Sequence, residues 1–171
     1  MWNNNSFVSF EPMSLTFRPF DENGARTVIN WQYEPPYDIY NLDSSDPEAT
    51  LRYLLDPQNA FYGVYGPAGL LEAFCSFGPD AQVPGGDYSP AALDIGLGVR
   101  PDLTGQGHGA EYVNAAIDFA YRTYRPDRLR VTIAAFNTRA RRVWERAGFQ
   151  VIQIFHGQWT DIDFFIMMKT M

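Results

Sequence analysis

The sequence predicts a mixed α/β domain, and three observations carry that prediction. Element type changes along the chain, from an extended start through two short helices to aromatic strands and then alternating strand and helix units. Apolar residues recur at helical spacing in two late segments: Val113, Ala116, Ile117, Ala120 and Tyr124, then Ala140, Val143, Trp144 and Ala147. Leu93 to Val99 alternates instead, with Leu93, Ile95, Leu97 and Val99 on one face and Asp94, Gly96 and Gly98 on the other.

The elements follow in order. Residues 1–13, with their Asn-rich opening, are expected to be an N-terminal tail, and 14–171 a single domain. Ser14 to Phe20 alternates Leu15 and Phe17 with polar neighbours as a strand does, and Asp21 can cap a helix running through Asn30. Pro35 and Pro36 break the aromatic segment Trp31 to Asn41, which is expected to be a structured loop. Ser45 to Leu55 has Pro47 near its first turn and Leu51, Leu54 and Leu55 at helical spacing. Ala60 to Tyr65 and Leu70 to Phe77 read as a hairpin about the GPAG turn at 66–69, and Gly78 to Pro90 as a long loop. A strand to Val99, a glycine turn, a helix to about Tyr124, a strand Leu129 to Ala135 and a helix Thr138 to Ala147 come next. Strands Phe149 to Phe155 and Ile162 to Thr170 close the chain.

Composition narrows the function classes. No apolar run approaches the roughly 20 residues of a membrane span, and the N-terminus lacks the basic start and apolar core of a secretory signal. One cysteine, Cys75, forbids an intrachain disulfide, so a cytoplasmic location is expected. Thirteen basic against 20 acidic residues give a net charge of −7, which repels nucleic acid and favours cationic, amine-bearing substrates. His108 and His156 have no metal-ligand company in the sequence, so no metal is expected. Cys75 sits in an apolar strand with no histidine beside it, the setting of an inert thiol.

The chemical centre is Val99 to Gly109 (VRPDLTGQGHG), which leaves a strand and opens a helix. Glycines permit close approach, and a helix N-terminus offers unpaired N–H groups and a positive dipole end, so the natural occupant is a phosphate or pyrophosphate. The loop lacks the Gly-Lys-Ser/Thr of a nucleotide triphosphatase, and its G-x-G-x-G spacing is not the dinucleotide G-x-G-x-x-G. A purely structural turn is the bland alternative.

The stretches DIGLGVRPDLTGQGHGAEYV and AFNTRARRVWERAGFQV together resemble the GNAT superfamily of N-acetyltransferases, over about residues 14–171. The subgroup most similar is that of the ribosomal-protein N-terminal acetyltransferases. The resemblance implies a central, mostly antiparallel sheet of six or seven strands with flanking helices, parallel only where the strands at 93 and 129 splay to admit coenzyme A. It also implies that Leu97 to Val99 lie beside the pantetheine arm, that Thr104, Gly105, Gln106, Gly107, His108 and Gly109 hold the pyrophosphate, and that Asn137 completes the cofactor site. Two positions depart from the pattern. Thr104 stands where Arg or Gln usually opens the loop, and Trp144 stands at a cofactor-site position where many members carry the tyrosine that protonates the leaving thiolate.

The reaction so implied is direct attack of an amine on acetyl-CoA in a ternary complex, the amine being a peptide N-terminus, polyamine, amino sugar or other small amine. The alternative is a non-catalytic acyl-CoA-binding or sensing module. Asp94, on a strand face that Gly96 and Gly98 leave without side chains, is the candidate general base; otherwise it pairs with a basic neighbour such as Arg130. Trp31, Tyr33, Tyr37, Asp38 and Tyr40, with Glu34, form the candidate wall for a cationic acceptor, unless these aromatics pack into the core. Arg139, Arg141, Arg142 and Arg146 make either a solvated helix face or a contact with the coenzyme's phosphates. Neither nucleic acid nor membrane is an expected partner; a homodimer is compatible with the resemblance.

Overall fold

The computed structural model describes residues 14–171; the expected tail at 1–13 lies outside them. Seven strands form one sheet in the order β1-β2-β3-β4-β5-β7-β6. The strands are β1 (Thr16–Pro19), β2 (Phe61–Tyr65), β3 (Leu71–Phe77), β4 (Leu93–Val99), β5 (Arg128–Ala134), β6 (Gln150–His156) and β7 (Asp163–Thr170). The helices are α1 (Glu22–Ile29), α2 (Pro47–Leu55), α3 (Gly109–Tyr124) and α4 (Thr138–Arg146). Each expected element is present, with ends shifted by a few residues.

Local chemistry sets the helix boundaries. Asp21 accepts the Gly24 N–H at 2.7 Å and starts α1, and Asp46 accepts the Ala49 N–H at 3.0 Å and starts α2 ahead of Pro47. Asn137 accepts the Ala140 N–H at 3.1 Å and caps α4. α3 starts differently: His108 precedes it with no side-chain cap. The expected loop at Trp31 to Asn41 contains a short 3-10 turn, Tyr37–Tyr40, that the two prolines do not forbid because it begins after them.

All neighbouring strands run antiparallel except β4 and β5, which pair in parallel only at Leu93↔Leu129 and Asp94↔Arg130. Beyond that point the two strands diverge. Two cores clamp the sheet. Ala73, Cys75 and Ile95 face Val113, Ala116 and Ala120 of α3 and Trp144 of α4, while Phe20, Trp31 and Phe61 pack with Val28 and Leu54 of α1 and α2. A third cluster, Ala134, Phe155, Phe164 and Ile166, gathers Tyr40, Val83 and Tyr88 at the far half. Among the described residues no helix is long and apolar enough to cross a membrane.

Candidate active site

Backbone polarity decides what the splay can hold. In β4 the Asp94 carbonyl accepts from Gly78 and the Arg100 N–H donates to Glu72, so even-numbered residues bond toward β3. Odd-numbered residues therefore turn their N–H and C=O toward β5, and once β5 has diverged those of Leu97 and Val99 face the gap. An extended amide-bearing chain such as pantetheine can pair with that edge as an added strand would. On the opposite arm the Ala135 N–H donates to Asp163 of β7, so the Ala134 N–H, one residue earlier, points into the gap.

The glycine turn lies just past the open end. Gly105 and Gly107 take φ of +75° and +90°, conformations that side chains resist. The Thr104 hydroxyl donates to the Pro101 carbonyl at 2.8 Å and the Gln106 amide to the Asp102 carbonyl at 2.6 Å, so these side chains brace the turn. Arg100 ties its stem to Asp102 at 2.7 Å and to the Leu71 carbonyl at 3.2 Å. Among the described residues no protein acceptor takes the N–H of Gly105, Gln106, Gly107, His108 or Gly109. These donors converge at the positive end of a 16-residue helix, which suits a pyrophosphate. Arg139 stands over them: a Cβ built on Gly105 would lie 2.8 Å from its Nη1. Its guanidinium also stacks 4.5 Å from the Tyr37 ring centroid and donates to the Tyr37 hydroxyl at 3.1 Å. Of the four arginines on α4, Arg139 is thus set beside the turn, while Arg141 pairs with Glu145 at 2.8 Å.

Asp94 occupies the second of its two expected roles. Arg130 Nε and Nη2 donate to its two carboxylate oxygens at 2.6 and 2.8 Å, and the Gln82 amide donates at 2.8 Å. Both side chains are almost wholly buried, at 2% and 4% exposure, and Arg130 Nη1 reaches the Pro90 carbonyl at 2.8 Å. Arg130 and Gln82 between them occupy both carboxylate oxygens, and removing the carboxylate would strand a buried guanidinium. The glycines beside it do not leave a vacancy either. Ser76 and Phe74 of β3 fill the space over Gly96 and Gly98, where a Cβ would collide with the Ser76 hydroxyl and the Phe74 ring.

The aromatic loop divides. Trp31 is buried against Phe74, with ring centroids 6.0 Å apart, and belongs to the core rather than to an acceptor wall. Tyr33, Tyr37 and Tyr40 reach the splay. The Tyr33 hydroxyl donates to the Val99 carbonyl at 2.9 Å, and burial raises its affinity for its proton. Tyr40 accepts from the Ala134 N–H at 3.4 Å and from Asn137 Nδ2 at 3.2 Å. Glu34 and Asp38 are exposed on the same loop. Trp144 is buried and packs edge-on against Phe149 at 4.9 Å, so its indole serves the core behind the cofactor edge. Cys75 is fully buried, which pushes its thiol up and keeps it protonated. Sequence reasoning names Arg130 only as a candidate partner of Asp94 and misses Gln82 and Tyr88. Gln82 and Arg130 reach Asp94 from 12 and 36 positions away and Tyr88 reaches Thr132 from 44, and no local pattern marks such contacts.

The acetyltransferase (GNAT) domain family matches residues 14–150. The chain therefore belongs to the GNAT acetyltransferase family, and it is an acetyl-CoA-dependent N-acetyltransferase. Solved structures share the fold at low identity. An acetyltransferase (GNAT family) from Bacillus anthracis superposes with a TM-score of 0.70 at 16% identity, covering 94% of this chain and 96% of that one. A spermidine N-acetyltransferase SpeG chimera from Vibrio cholerae and hSSAT gives 0.71 at 18% identity, covering 91% and 95%. Spermidine N-acetyltransferase from Vibrio cholerae in complex with CoA and spermine gives 0.62 at 18%, again covering 91% and 95%. No curated protein matches significantly.

Proposed function

We propose that the chain acetylates small cationic primary amines, polyamines first among them, entering between the loop at 31–41 and the loop at 78–90. The observation that carries this reading is the loop carrying Tyr33, Tyr37 and Tyr40 at the splay together with the exposed carboxylates of Glu34 and Asp38. Aromatic faces and acidic groups favour an approaching ammonium, and the net charge of −7 acts in the same direction at longer range. The spermidine acetyltransferases sharing the fold make polyamines a sensible first probe.

In this reading the freed backbone edge at Leu97 and Val99 aligns the pantetheine arm, and the N–H groups of Gly105 to Gly109 with Arg139 hold the pyrophosphate, the Thr104 N–H being held by the Pro101 carbonyl. Asn137 serves the cofactor site through its side-chain amide. Asp94 is a positioning residue: with Arg130 and Gln82 it fastens β4 to β5 and to the 78–90 loop where the splay begins. The amine must shed its proton before attack, and that proton passes to solvent at the open acceptor side. Bringing the amine and the thioester together in one orientation is the main catalytic contribution this arrangement makes.

Calorimetric titration with acetyl-CoA, followed by thiol-release assays with spermidine, glucosamine and an alanine-initiated peptide, tests the proposal. Turnover led by spermidine, and lowered several-fold by Asp38→Asn, is expected. Preference for the peptide or the sugar would remove the cationic-acceptor reading, and absence of acetyl-CoA binding would remove the cradle as well.

A further inference from the structure

The departing thiolate of coenzyme A needs a proton donor, and Trp144 has none to give: its indole is buried against Phe149. The geometry points to Tyr40 as that donor, acting from the loop between α1 and α2. This inference rests on the cofactor placement proposed above.

Three features single Tyr40 out. The first is hydrogen-bond direction. Asn137 Oδ1 is committed to the Ala140 N–H as the cap of α4, which turns Nδ2 toward Tyr40. The second neighbour, the Ala134 N–H, can only donate as well. The phenol oxygen therefore accepts from both, and among the described residues no acceptor takes its own proton. Tyr33 differs, since its proton already goes to the Val99 carbonyl. The second feature is place. Because the Ala135 N–H faces β7, the Ala134 N–H and the hydroxyl it holds lie on the β5 edge that faces the splay. Counting on from the Asp94↔Arg130 pair, Ala134 falls level with Gly98, between the Leu97 and Val99 groups that form the opposite edge. The third is the fate of the charge. Two N–H donors already aimed at the oxygen stabilise a phenolate once the proton has left. Burial raises the phenol's hold on its proton, while the hydrogen bonds from Asn137 and Ala134 offset part of that rise.

The step balances. The amine nitrogen bonds to the thioester carbonyl carbon, the C–S bond breaks with its electron pair going to sulfur, and sulfur takes the Tyr40 proton. The phenolate recovers a proton from solvent, which also receives the proton the amine sheds.

The test needs no acceptor. Free coenzyme A, isotope-labelled at the methylene next to sulfur, is bound to the wild-type chain and to Tyr40→Phe, and the thiol is titrated by NMR. A hydroxyl donating to the thiolate should make the bound thiol titrate about one unit lower in wild type than in the variant, with CoA affinity at neutral pH changed less than about 3-fold. Turnover of spermidine, where wild type supports it, should fall by about 10- to 100-fold in kcat with little change in the KM for acetyl-CoA. If Tyr40→Phe unfolds, fluorotyrosine placed at position 40 keeps the shape while sharpening the donor, and the bound thiol should then titrate lower still. Equal titration of the thiol in wild type and variant overturns the Tyr40 assignment. Failure of wild type to bind coenzyme A at all would instead sink the cradle, and failure to acetylate spermidine with the thiol shift intact would sink only the acceptor reading.

Discussion

The two halves of β4 run on one strand yet do opposite things. At Leu93 and Asp94 the edge facing β5 is sealed, by a parallel pairing and by a buried ion pair whose members hold each other at 2.6 and 2.8 Å. At Leu97 and Val99 the same edge has no strand beside it, the Val99 carbonyl taking only the Tyr33 hydroxyl, and it faces a gap that ends in uncapped N–H groups at the start of α3. On the β3 side pairing runs from Ile95 to Val99, and the Gly78 N–H adds a bond to the Asp94 carbonyl. The lesson is that a strand edge can be freed by withdrawing a neighbour, and here the charge pair lies where the withdrawal begins.

Breaking the closed half should have the largest effect. Asp94→Ala leaves Arg130 charged and buried without its partner, which is expected to cost about 3–5 kcal/mol in urea unfolding. Near-native stability with activity abolished would instead mark Asp94 as a catalytic base. Overfilling the strand comes next. Gly98→Ala forces the Phe74 ring aside and should cost about 1–3 kcal/mol. If that variant is as stable as wild type, the glycine serves ligand access rather than packing.

Changes in the open half should cost less stability and weaken binding. Arg139→Ala removes a cation set over Gly105, and acetyl-CoA affinity in calorimetry is expected to fall about 10-fold, the range of one charge-assisted hydrogen bond. Gly107→Ala meets no neighbouring atom, so its cost is backbone strain at φ +90°, about 1 kcal/mol, with a loss of CoA affinity of similar size.

The smallest effect lies far from both halves. Arg26 holds the Glu48 carboxyl below its ordinary value through a hydrogen bond between α1 and α2. A carboxyl lowered on folding stabilises above its unfolded value, and that contribution disappears as pH falls through the folded one. Glu48→Gln should therefore flatten slightly the acid limb of a melting-temperature profile and leave neutral activity unchanged; a large change at neutral pH would contradict this.

Much of this was legible from residues alone, and what was not has one cause. Periodicity fixed β4, α3 and α4 within a few residues, because side-chain spacing is a local property of each element. The glycine turn and the uncapped start of α3 were legible as well, since φ preference and free helix-start donors are local too. Sequence also posed the right question about Asp94 without answering it: whether Arg130, 36 residues away, comes within 2.6 Å depends on strand order, which no local pattern encodes. The glycines of β4 were read as space for a ligand, whereas Ser76 and Phe74, placed opposite by the β3 register, occupy it. Likewise the aromatic loop read as one wall, and only packing sent Trp31 inward and Tyr33, Tyr37 and Tyr40 to the splay. The sequence by itself determined the elements, the Asp21 cap of α1 and the glycine turn that opens α3. The tertiary structure decided which charges pair, which backbone edges stay free and which phenol meets two N–H donors at the splay, because each of those depends on groups distant in the chain meeting at a few ångströms.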